Sequence, residues 1–402
     1  MNPTREKLFG KLAVGWLTMF GVGTDLFVVS PLLPLIAAEY RISVAASGLG
    51  VAVFALTYMT SAPLLGRLSE RIGRRWMVTH CLCAFAAANL LTAGAPNFAW
   101  LLVARAAAGA AAAGVAPSLY ALTSSMVPLD RRATCLAVIA SGLLVSVLLG
   151  APMGVLAGAA FGWPSIFAAI ASFSLLLGEA NRRVWPEDRV TGNIAALPTA
   201  PTPLFVLAPR LAPMVAWSTS LYGVYTYLGL GLAAYGFSTA QIAKTIVAYG
   251  CGAIGGILIG GCVTDRFGAH LTRGVSLVGL SLCLLLLRLV LDGRILFDLA
   301  LALVSMVAQL FFAAQQSGLA CDFPTRRASV LAWNNSALFV GISLGSLVGG
   351  HAISLGGLPM NLTISAIIAL LGWGVNWVVS SSPASLPTSF DGTLPNQTRQ
   401  KP

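Results

Sequence analysis

Charge is what this chain lacks. Only 9% of its 402 residues are Asp, Glu, Lys or Arg, and just 13 are acidic. Globular domains in water carry roughly 25% charged residues, so a water-facing surface is excluded. Histidine is scarcer still: His80, His270 and His351 lie far apart with no ligand-like spacing. The seven cysteines are odd in number and include no C-x-x-C, so neither a metal site nor a disulfide framework is expected. No His/Cys/Asp cluster or nucleophile–base spacing appears, so no catalytic residue, enzyme activity or cofactor is expected. The net charge of +11 raises nucleic acid as a partner. The basic residues, however, fall in short stretches between apolar segments, which reads as membrane topology instead.

What the chain has in abundance is apolar sequence and glycine. Hydrophobic residues make up 57%, mean hydropathy is +0.84, and there are 42 glycines, which suit helices that approach closely in lipid. Apolar runs near 12–34, 45–65, 76–95, 98–124, 133–159 and 164–178, then 211–234, 240–263, 274–291, 295–319, 330–355 and 360–379, approximate the roughly 20 residues that cross a bilayer. The expected fold is an all-α membrane protein of twelve transmembrane helices. Residues 1–178 form an N-terminal six-helix bundle, 179–210 a cytoplasmic linker, 211–379 a second bundle, and 380–402 a Ser/Pro/Thr-rich disordered tail.

The two bundles share one plan. Gly66, Glu70, Arg71 and Gly73 recur as Gly261, Asp265, Arg266 and Gly268, an offset of 195 residues each time. The same offset carries Arg131 and Arg132 to Arg326 and Arg327, Gly150 and Gly154 to Gly345 and Gly349, and Gly162 and Pro164 to Gly357 and Pro359. Such repeats are characteristic of transporters. Placing the termini, linker and alternate loops on one side collects 19 of the 24 Lys and Arg there, so both termini are expected in the cytoplasm.

The stretch Gly66–Arg75 holds four arginines and reads as a basic turn between helices 2 and 3, with a glycine at each end to reverse the backbone. Its pattern, G-x-L-x-E-R-x-G-R-R, resembles the loop signature of the major facilitator superfamily, with Glu70 where that family has Asp. The resemblance implies a gating role for Gly66, Glu70, Arg71, Gly73 and Arg74. In helix 4, Arg105 stands four residues before Gly109, resembling the family's cavity-facing arginine. Gly150, Pro152 and Gly154 resemble the helix 5 run of its antiporters, and Thr24, Asp25, Ser30 and Pro31 add a likeness to the drug and sugar efflux branch. With helices 1, 4, 7 and 10 around the family's substrate path, Tyr222, Tyr225 and Gln309 become cavity candidates.

Asp25 is the one carboxylate deep in the N-terminal spans. At ~1.5 Å per residue, Asp25 and Arg105 lie roughly 13 and 10 Å from the outer ends of their helices, close enough to pair and to couple proton movement. A fixed structural bridge is the alternative. The small-residue run Gly150–Gly154 is expected to meet Gly345–Gly349 between the halves. Arg288 with Asp292 and Arg294 with Asp298 are expected surface pairs, and Lys244 is expected to snorkel. The resemblance thus implies a secondary transporter of the bacterial inner membrane, exporting a small organic compound in exchange for protons, its partners being that substrate, protons and lipid. An uptake carrier and a non-transporting sensor on the same scaffold remain open.

Overall fold

The computed structural model describes residues 3–127, 129–187, 204–291, 293–323 and 327–381. The middle of the expected linker, nearly all of the expected tail, and Asp292 lie outside the described residues. Eleven helical segments, one of them double, give twelve helices among the described residues. They are α1 (Pro3–Tyr40), α2 (Val44–Ile72), α3 (Arg74–Ala93), α4 (Phe98–Met126), α5 (129–161) and α6 (Trp163–Val184) in the first half. The second half holds α7 (Leu204–Ala234), α8 (Thr239–Phe267), α9 (Ala269–Leu289) and α10 (Arg294–Asp322). The final segment, Arg327–Ser381, is broken by non-helical Gly356 and Gly357 into α11 (327–355) and α12 (358–381).

The repeat has a backbone cause. Gly73 and Gly268 connect successive helices at φ 92° and 82°, and Gly162 and Gly357 do so at 83° and 65°. Left-handed φ values favour glycine, so the landmarks recur because the turns recur. Gly66, in contrast, lies inside α2, which continues to Ile72. The arginine-rich stretch is therefore mostly helix around a single-residue turn, not a ten-residue reversal. Ser69 helps by donating its hydroxyl to the Gly66 carbonyl at 2.7 Å.

Three other boundaries differ from expectation. α1 runs through Pro31 and Pro34 to Tyr40. α6 extends to Val184, where Glu179 pairs with Arg182 at 2.7 Å and Arg183 at 2.5 Å and Trp185 donates to Asn181 at 2.8 Å. The expected linker shrinks accordingly at both ends. α7 begins at Leu204, and it carries Trp217, Ser218, Ser220, Tyr225, Thr226 and Tyr227, all buried. Its polarity is spent inside the protein.

Glycines set the packing within each half, which corrects the expected contact between Gly150–Gly154 and Gly345–Gly349. A Cβ at Gly150 would overlap Thr24 of α1, and one at Gly154 would overlap Val28. In the second half, a Cβ at Gly345 would stand 2.7 Å from the Thr219 carbonyl of α7, and one at Gly349 2.7 Å from that of Gly223. These are equivalent contacts, since 219 − 24 = 345 − 150 = 195. α5 packs on α1 and α11 on α7. Across the halves, α5 instead meets α8, where a Cβ at Gly250 would lie 2.8 Å from the Leu148 backbone. There Pro152 has no N–H for the Leu148 carbonyl. The helix loosens into a π turn over Ser146–Gly150, closed by the Ala151 N–H on the Ser146 carbonyl. The other seam joins α2 to α11.

Candidate functional site

Asp25 and Arg105 meet. One Arg105 guanidinium nitrogen donates to both Asp25 carboxylate oxygens, at 2.8 and 3.0 Å. The residues are 0% and 1% exposed. The guanidinium lies 4.6 Å from the Phe54 ring centroid of α2 and 5.7 Å from that of Phe167 in α6. Its Nε has no hydrogen-bond partner. A buried charge is tolerated only when paired, and here the carboxylate and two ring faces provide the environment. The pair binds α1 to α4 through side chains.

From Arg105 a file of rings leads to the other half. Phe54 is 6.4 Å from Tyr58, and Tyr58 stacks on Phe339 of α11 at 3.7 Å and 15°. Asn335 faces the Tyr58 hydroxyl. None of Phe54, Tyr58 and Phe339 was marked by the sequence, because an aromatic at helical spacing carries no sign of which helix it will face.

Of the cavity candidates, two meet the first half. Tyr222 is 6.4 Å from Phe27 of α1, and Tyr225 is 5.8 Å from it, edge on. The Tyr225 hydroxyl donates to the Phe27 carbonyl at 3.3 Å. That carbonyl is free because Pro31, four residues on, has no N–H to offer it. Tyr249 of α8 completes the cluster at 5.0 Å from Tyr225. Gln309 stands apart, its Cβ set against Gly256 of α8.

Several hydrogen bonds between the halves lie toward the end opposite the arginine-rich loop, while that between Asn335 and Tyr58 lies nearer the middle. Besides Tyr225, the Ser346 hydroxyl donates to the Gly48 carbonyl at 2.6 Å, and the Tyr227 hydroxyl reaches the carbonyls of Ser346 at 2.8 Å and Ala45 at 3.4 Å. Gly229 lets α7 come against Pro31. This end is sealed. Ser346→Ala removes one buried bond worth ~1 kcal/mol, about fivefold in the balance of sealed and open forms. The expected result is correspondingly faster labelling of a Val44→Cys thiol by an impermeant maleimide added on that side; an unchanged rate would show the bond to be no part of the seal.

At the basic end, Arg74 donates to the Ala121 carbonyl of α4 at 3.5 Å. Arg75 caps α6 through the carbonyls of Arg182 and Trp185, both at 3.4 Å, and pairs with Glu187. Glu70 and Arg71 are exposed. The partner of Asp298 is Lys244 of α8, at 3.5 Å, with the Thr245 hydroxyl donating to it at 2.6 Å. Arg294 instead lies over Phe237, so it does not form the expected pair with Asp298. Between α2 and α11, on the basic half, lies a groove of ≈ 740 Å³ lined by α2, α7, α11 and α12.

Comparisons with known proteins agree on the architecture. The chain is 28% identical over 341 residues to the MFS-type transporter YceJ of Bacillus subtilis, covering 83% of this chain and 86% of the relative. It is 29% identical over 253 residues to a chloramphenicol resistance protein of Streptomyces lividans, covering 61% and 64% respectively. Against the inner membrane transport protein YdhP of Escherichia coli it is 26% identical over 370 residues, covering 89% and 92%. The crystal structure of a bacterial homologue of the human lysosomal transporter Spinster, inward-facing and occupied, superposes with a TM-score of 0.73 at 15% identity, covering 95% of this chain and 98% of that one. Residues 15–317 match the model of the Major Facilitator Superfamily, and with its twelve helices in two repeated halves the chain belongs to that superfamily.

Proposed function

We propose that this transporter exports a small organic compound in exchange for protons across the bacterial inner membrane, with its basic end and both termini in the cytoplasm. The observation that carries the reading is the dry Asp25–Arg105 pair, linked by Phe54 and Tyr58 to a seam between the halves. A carboxylate held this way exchanges a proton when the seam moves and its guanidinium partner shifts. Export is favoured by the relative named as a chloramphenicol resistance protein. The inner-membrane site follows the relative of that name and the bias of basic residues to one side. Tyr222 and Tyr225, with Phe27, offer an aromatic wall for an uncharged, amphipathic substrate. The test uses everted vesicles with an acidic interior and a pH-sensitive dye, challenged with a panel that includes chloramphenicol. Proton release coupled to uptake of a compound supports the proposal; uptake down the compound's gradient with no proton movement defeats it.

The sealed far end gives Glu70 a role at the other end. Exposed at the basic end, it pairs across the halves when that end closes. Helix 11's positive N-terminal dipole, near Ser329, is the natural partner. Glu70→Gln should then slow turnover roughly five- to tenfold, the loss of a contact worth ~1–1.5 kcal/mol, with the substrate Kd within a few-fold of wild type. A large loss of affinity at normal turnover would place Glu70 in the substrate site instead.

A further inference from the structure

Two buried polar atoms in the first half each lack what the other offers. The Arg105 Nε–H is a donor with no acceptor, and the Asn89 amide oxygen is an acceptor with no donor. Asn89 is 0% exposed on α3. Its amide nitrogen donates to the Phe85 carbonyl at 3.0 Å, which leaves the oxygen over. An amide oxygen buried this way costs stability, and a leucine of the same size would avoid the cost. The repeat-related position, 195 residues on, is indeed Leu284, fully buried. The same offset carries Asp25 to Ser220 and Arg105 to Ala300. The fold therefore does not require an amide at 89; the half that has one is the half that has the charge pair.

Helix register brings Asn89 to Arg105. A Cβ at Gly114 of α4 would lie 2.5 Å from the Cys81 sulfur of α3, which sets these antiparallel helices side by side. Nine residues back from Gly114 stands Arg105, and nine on from Cys81 stands Leu90. Asn89 is thus within one residue, ~1.5 Å, of the Arg105 level. The facing comes from α6. A Cβ at Gly178 would lie 3.6 Å from that of Leu82, and Asn89, seven residues past Leu82, shares its face of α3. Phe167, about three turns before Gly178 on the same face of α6, carries its ring to 5.7 Å from the Arg105 guanidinium. Asn89 and Arg105 border one dry core between α3, α4 and α6.

Asp25 is the partner of a guanidinium that cannot reach water. When a proton from water bonds to an Asp25 oxygen, that partner loses its charge. Among the described residues, Arg105 is the charged side chain that meets Asp25. α2, α3, α5 and α6 carry their charges toward the basic end, and α7 brings the phenols of Tyr222 and Tyr225 to Phe27. We propose that Asn89 is a positioning residue of the proton step: Arg105 turns its Nε–H to the Asn89 oxygen when Asp25 is protonated, and turns back when the proton leaves. A neutral oxygen supplies only part of a carboxylate's hold, so the return to ionised Asp25 stays favourable. The inference rests on the reading that Asp25 exchanges a proton, and adds the residue that holds Arg105 meanwhile.

Two measurements on the full chain in lipid nanodiscs test it. The first compares thermal unfolding of wild type, Asn89→Leu, Asp25→Asn and the double variant. In wild type, Asn89→Leu replaces an unpartnered amide by an apolar side chain of the same shape, so Tm is expected to hold or rise. With Asp25→Asn, where Arg105 has already turned, the same change is expected to lower Tm by about 2–4 °C. Equal shifts in both backgrounds would mean a purely structural Asn89 and would overturn the inference, whatever Asp25 does with protons. The second measurement follows the infrared C=O stretch of protonated Asp25, assigned by its loss in Asp25→Asn, as pH is lowered. Without the Asn89 acceptor the protonated state is less favoured, so the midpoint in Asn89→Leu is expected about one pH unit lower, a tenfold weaker hold on the proton. An unchanged midpoint would overturn the inference and leave the proton reading standing; a wild-type band that never appears would overturn both. Asn89→Ala answers the same two questions should Asn89→Leu fail to insert.

Discussion

Asp25→Asn is expected to abolish pH-driven transport while leaving substrate binding in place and no longer dependent on pH. The structure also predicts a second effect. Arg105 is 1% exposed and already has an unpartnered Nε, so removing the carboxylate leaves a buried charge without compensation. Breaking such a pair costs about 3–5 kcal/mol, and apparent Tm should fall by many degrees. A drop in stability therefore cannot by itself separate a coupling carboxylate from a structural bridge. The double variant Asp25→Asn/Arg105→Gln separates them. It removes both charges, and two amides of similar shape restore hydrogen-bonding capacity, so Tm should recover most of the loss. If the pair only holds α1 to α4, the double variant should also regain pH-driven flux. If Asp25 carries the proton, the double variant is stable and uncoupled. Recovery of both properties would remove Asp25 from the mechanism and return it to structure.

This pairing is legible in the sequence, and the reason is charge. The count from Pro34 and Phe98 puts Asp25 and Arg105 at one level, but α1 continues to Tyr40, so the sounder warrant is that a carboxylate and a guanidinium buried within the same bundle seek each other. The twelve helices were legible because the offset of 195 recurs at turns that demand left-handed glycine. Facing was not legible. The Gly150–Gly154 run declares that some helix comes close, yet nothing in its spacing says whether that helix is α1 or α11. The end of the reversal at Gly66–Arg75 was misread because arginine, serine and glutamate are acceptable helix residues once α2 extends beyond the hydrocarbon. Lys244 and Asp298 come together from different helices, so an i,i+4 rule on one helix pointed at the wrong partner. Tyr58 and Phe339 give the clearest case: two ordinary aromatics, 281 positions apart (339 − 58), form the stack between the halves.

The corrected glycine contacts yield a sharper expectation than a leak between halves. Gly154→Leu drives its side chain into Val28 of α1, with Ile166 next at 3.6 Å from the added Cβ. Overpacking of this kind typically costs 1–3 kcal/mol, about 1–4 °C in a transition of this size. The obstruction is a side chain, so it can be trimmed: Val28→Ala should return much of the lost Tm to Gly154→Leu. Gly345→Leu is the equivalent change in the other half, with a different obstacle. Its Cβ meets the Thr219 carbonyl at 2.7 Å and the Gly223 backbone nitrogen at 2.8 Å. Backbone cannot be trimmed, and α7 is the helix that carries Tyr222, Tyr225 and Tyr227 to the first half. Gly345→Leu should therefore part α7 from α11 and yield little folded protein, with no single side-chain truncation on α7 rescuing it. Thermal unfolding and size-exclusion profiles of Gly154→Leu, Gly154→Leu/Val28→Ala and Gly345→Leu decide the matter. Equal losses in both halves without rescue by Val28→Ala would show that the contact with α1 does not limit Gly154. Normal Tm with labelling from the far side in Gly154→Leu would return that glycine to the seam between the halves.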